Sequence, residues 1–248
     1  MKLKLLYLLL LLSSSTLRAA YVLIPMDEQQ SNHLKAYGIA YWVLKQDVEV
    51  DWLLNYRGGS FMTRQFSQIE NECRVRGVSF QVISDGQAAG ILQEIANPEV
   101  NQDLVKLEKA PKICVYTPPN KLPWDDAVTM VLTYAEIPFD KVYDEEVLQG
   151  KLLLYDWLHL HHEDFTGQYG KFYAAYAGAA WYQNDVKLQE EMAHKLGFSK
   201  VSQLKLAVAQ KIRDFTVGGG FLFAMCSATD SYDIALSAEG VDICESMF

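Results

Sequence analysis

The sequence predicts an α/β protein built on parallel sheets with helices on both faces. Three observations carry that expectation. Apolar runs of strand length alternate with amphipathic helical stretches from Tyr21 onward. Each strand-to-strand step leaves room for a helix, the connection that parallel strands require. The cluster Gly218-Gly219-Gly220 then feeds a final apolar run that stops at Cys226.

A smaller α/β module reads over residues 21–105. Tyr21 to Pro25 forms a first strand, and Ser31 to Leu44 a helix with Leu34, Tyr37, Ile39, Tyr41 and Trp42 around one side. Val50 to Tyr56 is a second strand, ended by Arg57-Gly58-Gly59. A helix over Phe66 to Arg76, a strand over Val78 to Ile83 and a helix over Gln87 to Ala96 follow. The spacing implies parallel pairing here too.

After Asn97-Pro98 and a polar stretch the pattern restarts, giving a second module over residues 110–248. Lys112 to Tyr116 is a strand broken by Pro118-Pro119. Trp124 to Ala135 is a helix, Phe139 to Tyr143 a strand and Leu152 to Leu160 a long strand. Val186 to Leu196 and Gln203 to Phe215 are helices, and Phe221 to Met225 is a buried strand. The run Asp144-Glu145-Glu146 reads as solvated surface opening a short helix, as acids do. The segment Thr166 to Tyr182, with Tyr169, Phe172, Tyr173, Tyr176, Trp181 and Tyr182, reads as an aromatic helix face packed into the core. The alternative is a lid moving on Gly167, Gly170 and Gly178.

The first 20 residues have the order of a secretory signal peptide: Lys2 and Lys4, a leucine-rich run from Leu5 to Leu12, then small and polar residues up to Ala19 and Ala20. The expectation is an exported protein, periplasmic or extracellular, with no membrane attachment after cleavage. Without Lys2, Lys4 and Arg18, 19 of the 22 bases face 31 acids, a net charge near -12. Such a surface repels nucleic acid and anionic lipid. Cys73, Cys114, Cys226 and Cys244 are too few and too scattered for a disulfide scaffold, though a pair among Cys73, Cys114 and Cys244 could close.

Two constellations carry chemistry. A strand running into a sharp turn before a helix projects the turn residue above the carboxyl edge of an α/β sheet, where ligands bind. Cys226 stands at such a turn, with Ala224 and Ala228 two residues to either side where the crowded backbone needs small side chains. The amide of Ser227 would then point at an oxyanion. The bland alternative is a small buried thiol. The second constellation is His159-Leu160-His161-His162-Glu163-Asp164. Strand alternation puts His159 and His161 on one face and turns His162 and Glu163 out at the strand's end. His161, His162 or Glu163 would face Cys226 as its acid or base partner.

Histidines capping a strand, or a zinc site, are the alternatives. A metal site would need a further ligand from elsewhere, and the other histidines are His33 and His194. The expected site therefore holds no metal. No cofactor motif is read either: Arg57-Gly58-Gly59-Ser60 lacks the lysine and helix of a phosphate loop and reads as a turn.

The run from Ile212 through Gly218-Gly219-Gly220 and Phe221-Leu222 to Cys226 resembles the helix, glycine turn, strand and nucleophile elbow of class I glutamine amidotransferase-like proteins, including their trehalose-utilisation-type branch. Lys112 to Thr117 followed by Pro118-Pro119 is similar to that fold's first strand, and Tyr155 to Leu160 to its Tyr-Asp strand. The likeness covers about residues 110 to 235. It implies a flavodoxin-like amidotransferase-type module and attack by Cys226 at a carbon–nitrogen bond, with Ser227 N–H on the oxyanion.

The pairing of LHLHHEDF with GGGFLFAMCSATDS is also similar to exported bacterial proteins labelled asparagine synthetase B. That enzyme type begins with a catalytic cysteine after the initiator methionine, whereas this chain begins MKLK. Glutaminases of this fold draw their base from a histidine downstream of the cysteine. No histidine follows His194, and 22 residues follow Cys226, so a C-terminally incomplete module is expected. The alternative function is a non-catalytic module binding a small molecule or a carbohydrate, which the aromatic richness suits.

Overall fold

The computed structural model describes residues 19–119, 127–169, 172–246 and 248. The expected leader, apart from Ala19 and Ala20, the first turn of the helix expected from Trp124, and Gly170 lie outside them. The described residues divide into two compact units. One contains the chain up to Ala110 with Tyr134–Ile137, the other Pro111–Thr133 and Pro138–Phe248.

The first unit holds a five-stranded sheet. Its elements are β1 (Ala19–Ile24), α1 (His33–Leu44), β2 (Val50–Leu54), β3 (Ser60–Arg64), α2 (Ser67–Arg76), β4 (Gln81–Ser84), α3 (Asp85–Ile95) and β5 (Asp103–Leu107). The spatial order is β4-β1-β3-β2-β5 and every pair is antiparallel. This corrects the parallel pairing expected for residues 21–105. The reason is local: the turn after β2 leads at once into β3, which pairs back on β2 with Leu53 opposite Ser60.

Gly58 makes that turn possible. Its φ is +81°, and a Cβ there would lie 2.4 Å from the carbonyl oxygen of Met26. Helices cover both faces as expected. Val22, Ile24 and Phe61 meet Ile39 and Val43 of α1 and Ile69 and Cys73 of α2. Leu23, Leu53 and Met62 meet Ala88 and Ile95 of α3 on the other side.

The second unit holds the parallel sheet. Its strands are β6 (Ile113–Tyr116), β7 (Phe139–Val142), β8 (Trp157–Leu160) and β9 (Phe221–Ala224), in the order β7-β6-β8-β9 and all parallel. The helices are α4 (Ala127–Ala135), of which Tyr134 and Ala135 count with the first unit, α5 (Asp144–Leu148), α6 (Tyr173–Tyr176), α7 (Ala180–Lys195), α8 (Val201–Val217) and α9 (Ser227–Ser237). Cys114, Tyr116, Leu158 and Leu160 pack against Leu204, Val208 and Ile212 of α8 and Ala228 and Ala235 of α9. Burying side chains of this size stabilises by about 1.5–3 kcal/mol each.

Several expectations change in this unit. Residues Lys151–Leu154 form a 3-10 turn, so β8 is four residues long instead of the strand expected from Leu152. β9 is not buried: among the described residues it pairs on one side only, and Phe221, Phe223 and Met225 are exposed. The aromatic segment divides. Tyr169 and Tyr182 enter the core, while Phe172, Tyr173, Tyr176 and Trp181 are 43–51 % exposed. Gly167 is packed against the backbone of Ser202 at 2.6 Å from its ideal Cβ position, which is not a hinge's environment. All four cysteines are free thiols, so no pair closes. Cys73 belongs to the first unit's core and Cys114 to the second's.

Candidate functional site at the carboxyl edge of the parallel sheet

Cys226 is lifted by the local chain path. α8 ends at Val217, and Gly220 lets the chain turn tightly over it, since a Cβ there would fall 2.2 Å from the Phe215 ring. β9 then runs beside β8, and Met225 N–H donates to Leu160 O at 3.0 Å, extending the ladder by one step. At the next residue the backbone breaks: Cys226 has φ 52° and ψ -140° and caps α9. For a residue with a Cβ this region costs on the order of 1–3 kcal/mol and persists only where the surroundings impose it. Ala228 beneath the turn is fully buried, so no larger side chain fits.

The Cys226 thiol is exposed. Burial pushes the Cys73 and Cys114 thiols up to about 12 and raises that of Cys244. Cys226 is thus the thiol open to solvent on a strained strand-to-helix turn.

The loop after β8 lies alongside. Pairing Leu160 with Ala224 places His162 two residues beyond on one strand and Cys226 two residues beyond on the next. Neighbouring strands run about 4.8 Å apart. The Ser227 hydroxyl donates to His162 O at 2.8 Å, and the Ser231 hydroxyl to Glu163 O at 2.9 Å. These serines sit one helical turn apart on α9 and stitch it to the histidine loop.

Glu163 departs from the sequence reading. It is 8 % exposed, turned inward, and its Oε2 accepts the main-chain N–H groups of His161 at 3.3 Å and His162 at 3.2 Å. Its carboxylate holds the loop's shape. The Nδ1 atoms of His161 and His162 are 2.8 Å apart, which requires a proton on one of them. His159 is separated from this pair: its ring is buried and stacks on Phe223, with centroids 5.4 Å apart. Among the described residues no group of three or more His, Cys, Asp or Glu side chains is placed to hold a metal ion.

Beneath the loop lies a charged cluster that the sequence reading did not find. Lys205 Nζ donates to both Asp144 oxygens, at 2.9 and 2.8 Å, to Tyr116 Oη at 3.0 Å and to Tyr143 Oη at 3.1 Å. The Tyr116 hydroxyl donates to Asp144. Both charged groups are removed from water, with Lys205 2 % and Asp144 0 % exposed. Asp144 is therefore not the solvated acid expected. Burial raises Tyr116 well above its ordinary range and Tyr143 to about 12, so both hydroxyls stay protonated. Burial opposes the Lys205 charge, but Asp144 and Tyr143 outweigh it and hold Lys205 protonated.

Two signals in the sequence could have revealed this cluster. Lys205 interrupts the stripe Val201, Leu204, Val208, Ile212 and Phe215, where a helix turns its apolar face inward. Tyr116, Tyr143 and Asp144 all sit at carboxyl ends of strands. Asp230 and Tyr232 take helical positions on α9, with Asp230 in its first turn. No family model, curated protein or solved structure matches this chain.

Proposed function

We propose that the second unit is a cysteine-dependent hydrolase or transferase acting at a carbon–nitrogen bond, with Cys226 as nucleophile. The observation that carries this reading is the backbone of Cys226: an exposed thiol held in a conformation that favours glycine, at the carboxyl edge of a parallel sheet and the start of an 11-residue helix. Strain of this kind clusters at functional sites. The N–H groups of Ser227 and Ala228 at the start of α9 supply donors for a developing oxyanion, Ser227 N–H foremost, because a helix start leaves such groups without intrahelical partners, while Thr229 N–H is taken by Cys226 O at 3.2 Å.

The His161–His162 pair lies beside the elbow as proton acceptor and donor. An imidazole that takes the thiol proton generates the thiolate; returned to the leaving nitrogen, that proton completes the first half-reaction. The choice of a carbon–nitrogen bond follows the motif likeness of residues 110–235 to amidotransferase-like proteins. Export of the chain, expected from its first 20 residues, belongs to the same reading.

The exposed aromatic group Phe172, Tyr173, Tyr176 and Trp181 favours a second reading, a binding module for a carbohydrate ring. Labelling with a chloroacetamide electrophile, read by intact mass and peptide mapping, separates the two. A catalytic site gives one adduct on Cys226, faster than a free thiol, with a rate–pH profile that changes in His161→Ala and His162→Ala. Labelling at the rate of a free thiol, with the same profile in both variants, leaves only the binding module.

A further inference from the structure

The Lys205 cluster has no part in the proton and nucleophile roles above, yet one continuous set of contacts joins it to them. Tyr116, held by its hydroxyl at Asp144 and Lys205, lays its ring against Phe165, with centroids 5.2 Å apart. Phe165 is 1 % exposed and lies two residues after Glu163. Its other side meets Tyr232 of the elbow helix, edge to face at 5.9 Å. Ser231, the neighbour of Tyr232, donates to Glu163 O, and the Glu163 carboxylate accepts from the two histidine N–H groups. Phe165 is therefore a wedge between the ion pair and the elbow helix, and the histidine loop is folded around it.

We propose that Lys205, Asp144 and Tyr116 are positioning residues for the Cys226 site, fixing through Phe165 the distance between the His161–His162 loop and the elbow. This rests on Cys226 being the nucleophile. A buried ion pair is weak evidence of a stabilising role, because apolar residues of similar volume often replace one without loss. Three residues of the cluster, Tyr116, Tyr143 and Asp144, stand at the carboxyl ends of neighbouring strands or directly after them, where a small shift is passed to the next loop. Displacement of a reacting group by about 1 Å can cost on the order of 100-fold in rate.

The test uses the full chain with two variants. Lys205→Met/Asp144→Leu removes the charges together and keeps an apolar fill. Tyr116→Phe keeps the ring on Phe165 and drops one hydroxyl. Two quantities are read in each: amide hydrogen exchange of residues 161–165, with residues 50–64 as internal control, and the rate–pH profile of Cys226 alkylation by iodoacetamide. In the double variant we expect exchange of 161–165 to rise about 10-fold with the control unchanged, and alkylation to slow about 10-fold with an altered pH profile. Tyr116→Phe moves both in the same direction by about 2–3-fold, and decides the matter if the double variant does not fold.

A folded variant in which either quantity superimposes on wild type overturns the proposal, since a merely structural cluster leaves the alkylation profile alone. Should wild-type Cys226 react only as a free thiol, the nucleophile reading fails by itself, and hydrogen exchange alone then decides whether the cluster positions the loop.

Discussion

The two sheets of this chain differ in direction, and that difference determines where chemistry collects. In the parallel sheet every strand ends at the same edge, so Tyr116, Tyr143, the His161–His162 pair and Cys226 are delivered to one rim by four strands. In the antiparallel sheet neighbouring strands end on opposite sides, and no rim receives more than alternate strand ends. One set of its polar contacts closes a turn. Arg57 donates to Asp27 at 2.7 Å and to Gln29 at 2.8 Å, and its carbonyl takes the Met26 N–H, closing the turn between β2 and β3. The parallel unit holds the fully buried Lys205–Asp144 pair, whereas each ion pair described in the antiparallel unit keeps at least one partner in contact with water, as in Arg76–Glu72 at 8 % and 25 % exposed.

The largest expected effect probes the buried charge. Lys205→Met alone strands Asp144 in the core and should destabilise the second unit by about 3–5 kcal/mol, the loss typical of a broken buried pair. Urea unfolding followed by circular dichroism measures it. The double change Lys205→Met/Asp144→Leu should recover most of that loss. If the single variant loses less than about 1 kcal/mol, closer to an exposed pair, the contrast between the units collapses.

The next effect has the opposite sign. Cys226→Gly relieves the strain at φ 52°, ψ -140° and should stabilise the second unit by about 1–3 kcal/mol while abolishing labelling. Cys226→Ala keeps a Cβ and should not gain. Equal stability of the two variants would show that the elbow is unstrained.

The contrast also explains what could be read from the sequence. The parallel sheet was legible because buried strands such as ICVY, and WLHL apart from His159, are apolar runs separated by helix-length stretches. The strands Ser60–Arg64 and Asp103–Leu107 were not. The first follows its partner through a tight turn that looks like a stop, and the second, DLVKL, is an exposed edge with polar residues interspersed. Cys226 could be found because its glycines and alanines mark a crowded turn. Asp144 reads as surface and Lys205 stands out only as a charge within a helix, because charge in a sequence gives no sign of its partner, and their pairing spans 61 residues.

A smaller effect belongs to the first unit. Ser84 caps α3: its hydroxyl accepts the Gln87 N–H at 3.3 Å while Gln87 Oε1 accepts the Ser84 N–H at 2.9 Å. Ser84→Ala should cost about 1 kcal/mol, read as a lower urea midpoint, with no change in Cys226 labelling. A change in labelling would mean that the units are not chemically independent.

The smallest effect is the most discriminating about solvent. Arg74 and Glu70 pair at 2.7 Å one helical turn apart on α2, with the Arg74 side chain 60 % exposed. Gln65 donates to the same carboxylate, and with Arg74 holds the Glu70 pKa below its ordinary value. A depressed carboxyl pKa contributes stability at pH values above the unfolded pKa, and that contribution fades as pH falls through the folded one. Arg74→Ala should therefore cost only about 0.3–0.5 kcal/mol at neutral pH and low salt. Most of this should vanish in about 1 M salt, where screening acts over about 3 Å. The variant and wild type should also converge as pH falls through the depressed Glu70 pKa, once Glu70 is protonated in both. The Lys205 pair, shielded from water, should keep its full penalty in the same salt. An Arg74→Ala loss that persists at high salt would mean that this exposed pair behaves like the buried one, and that solvent access is not what separates the two pairs.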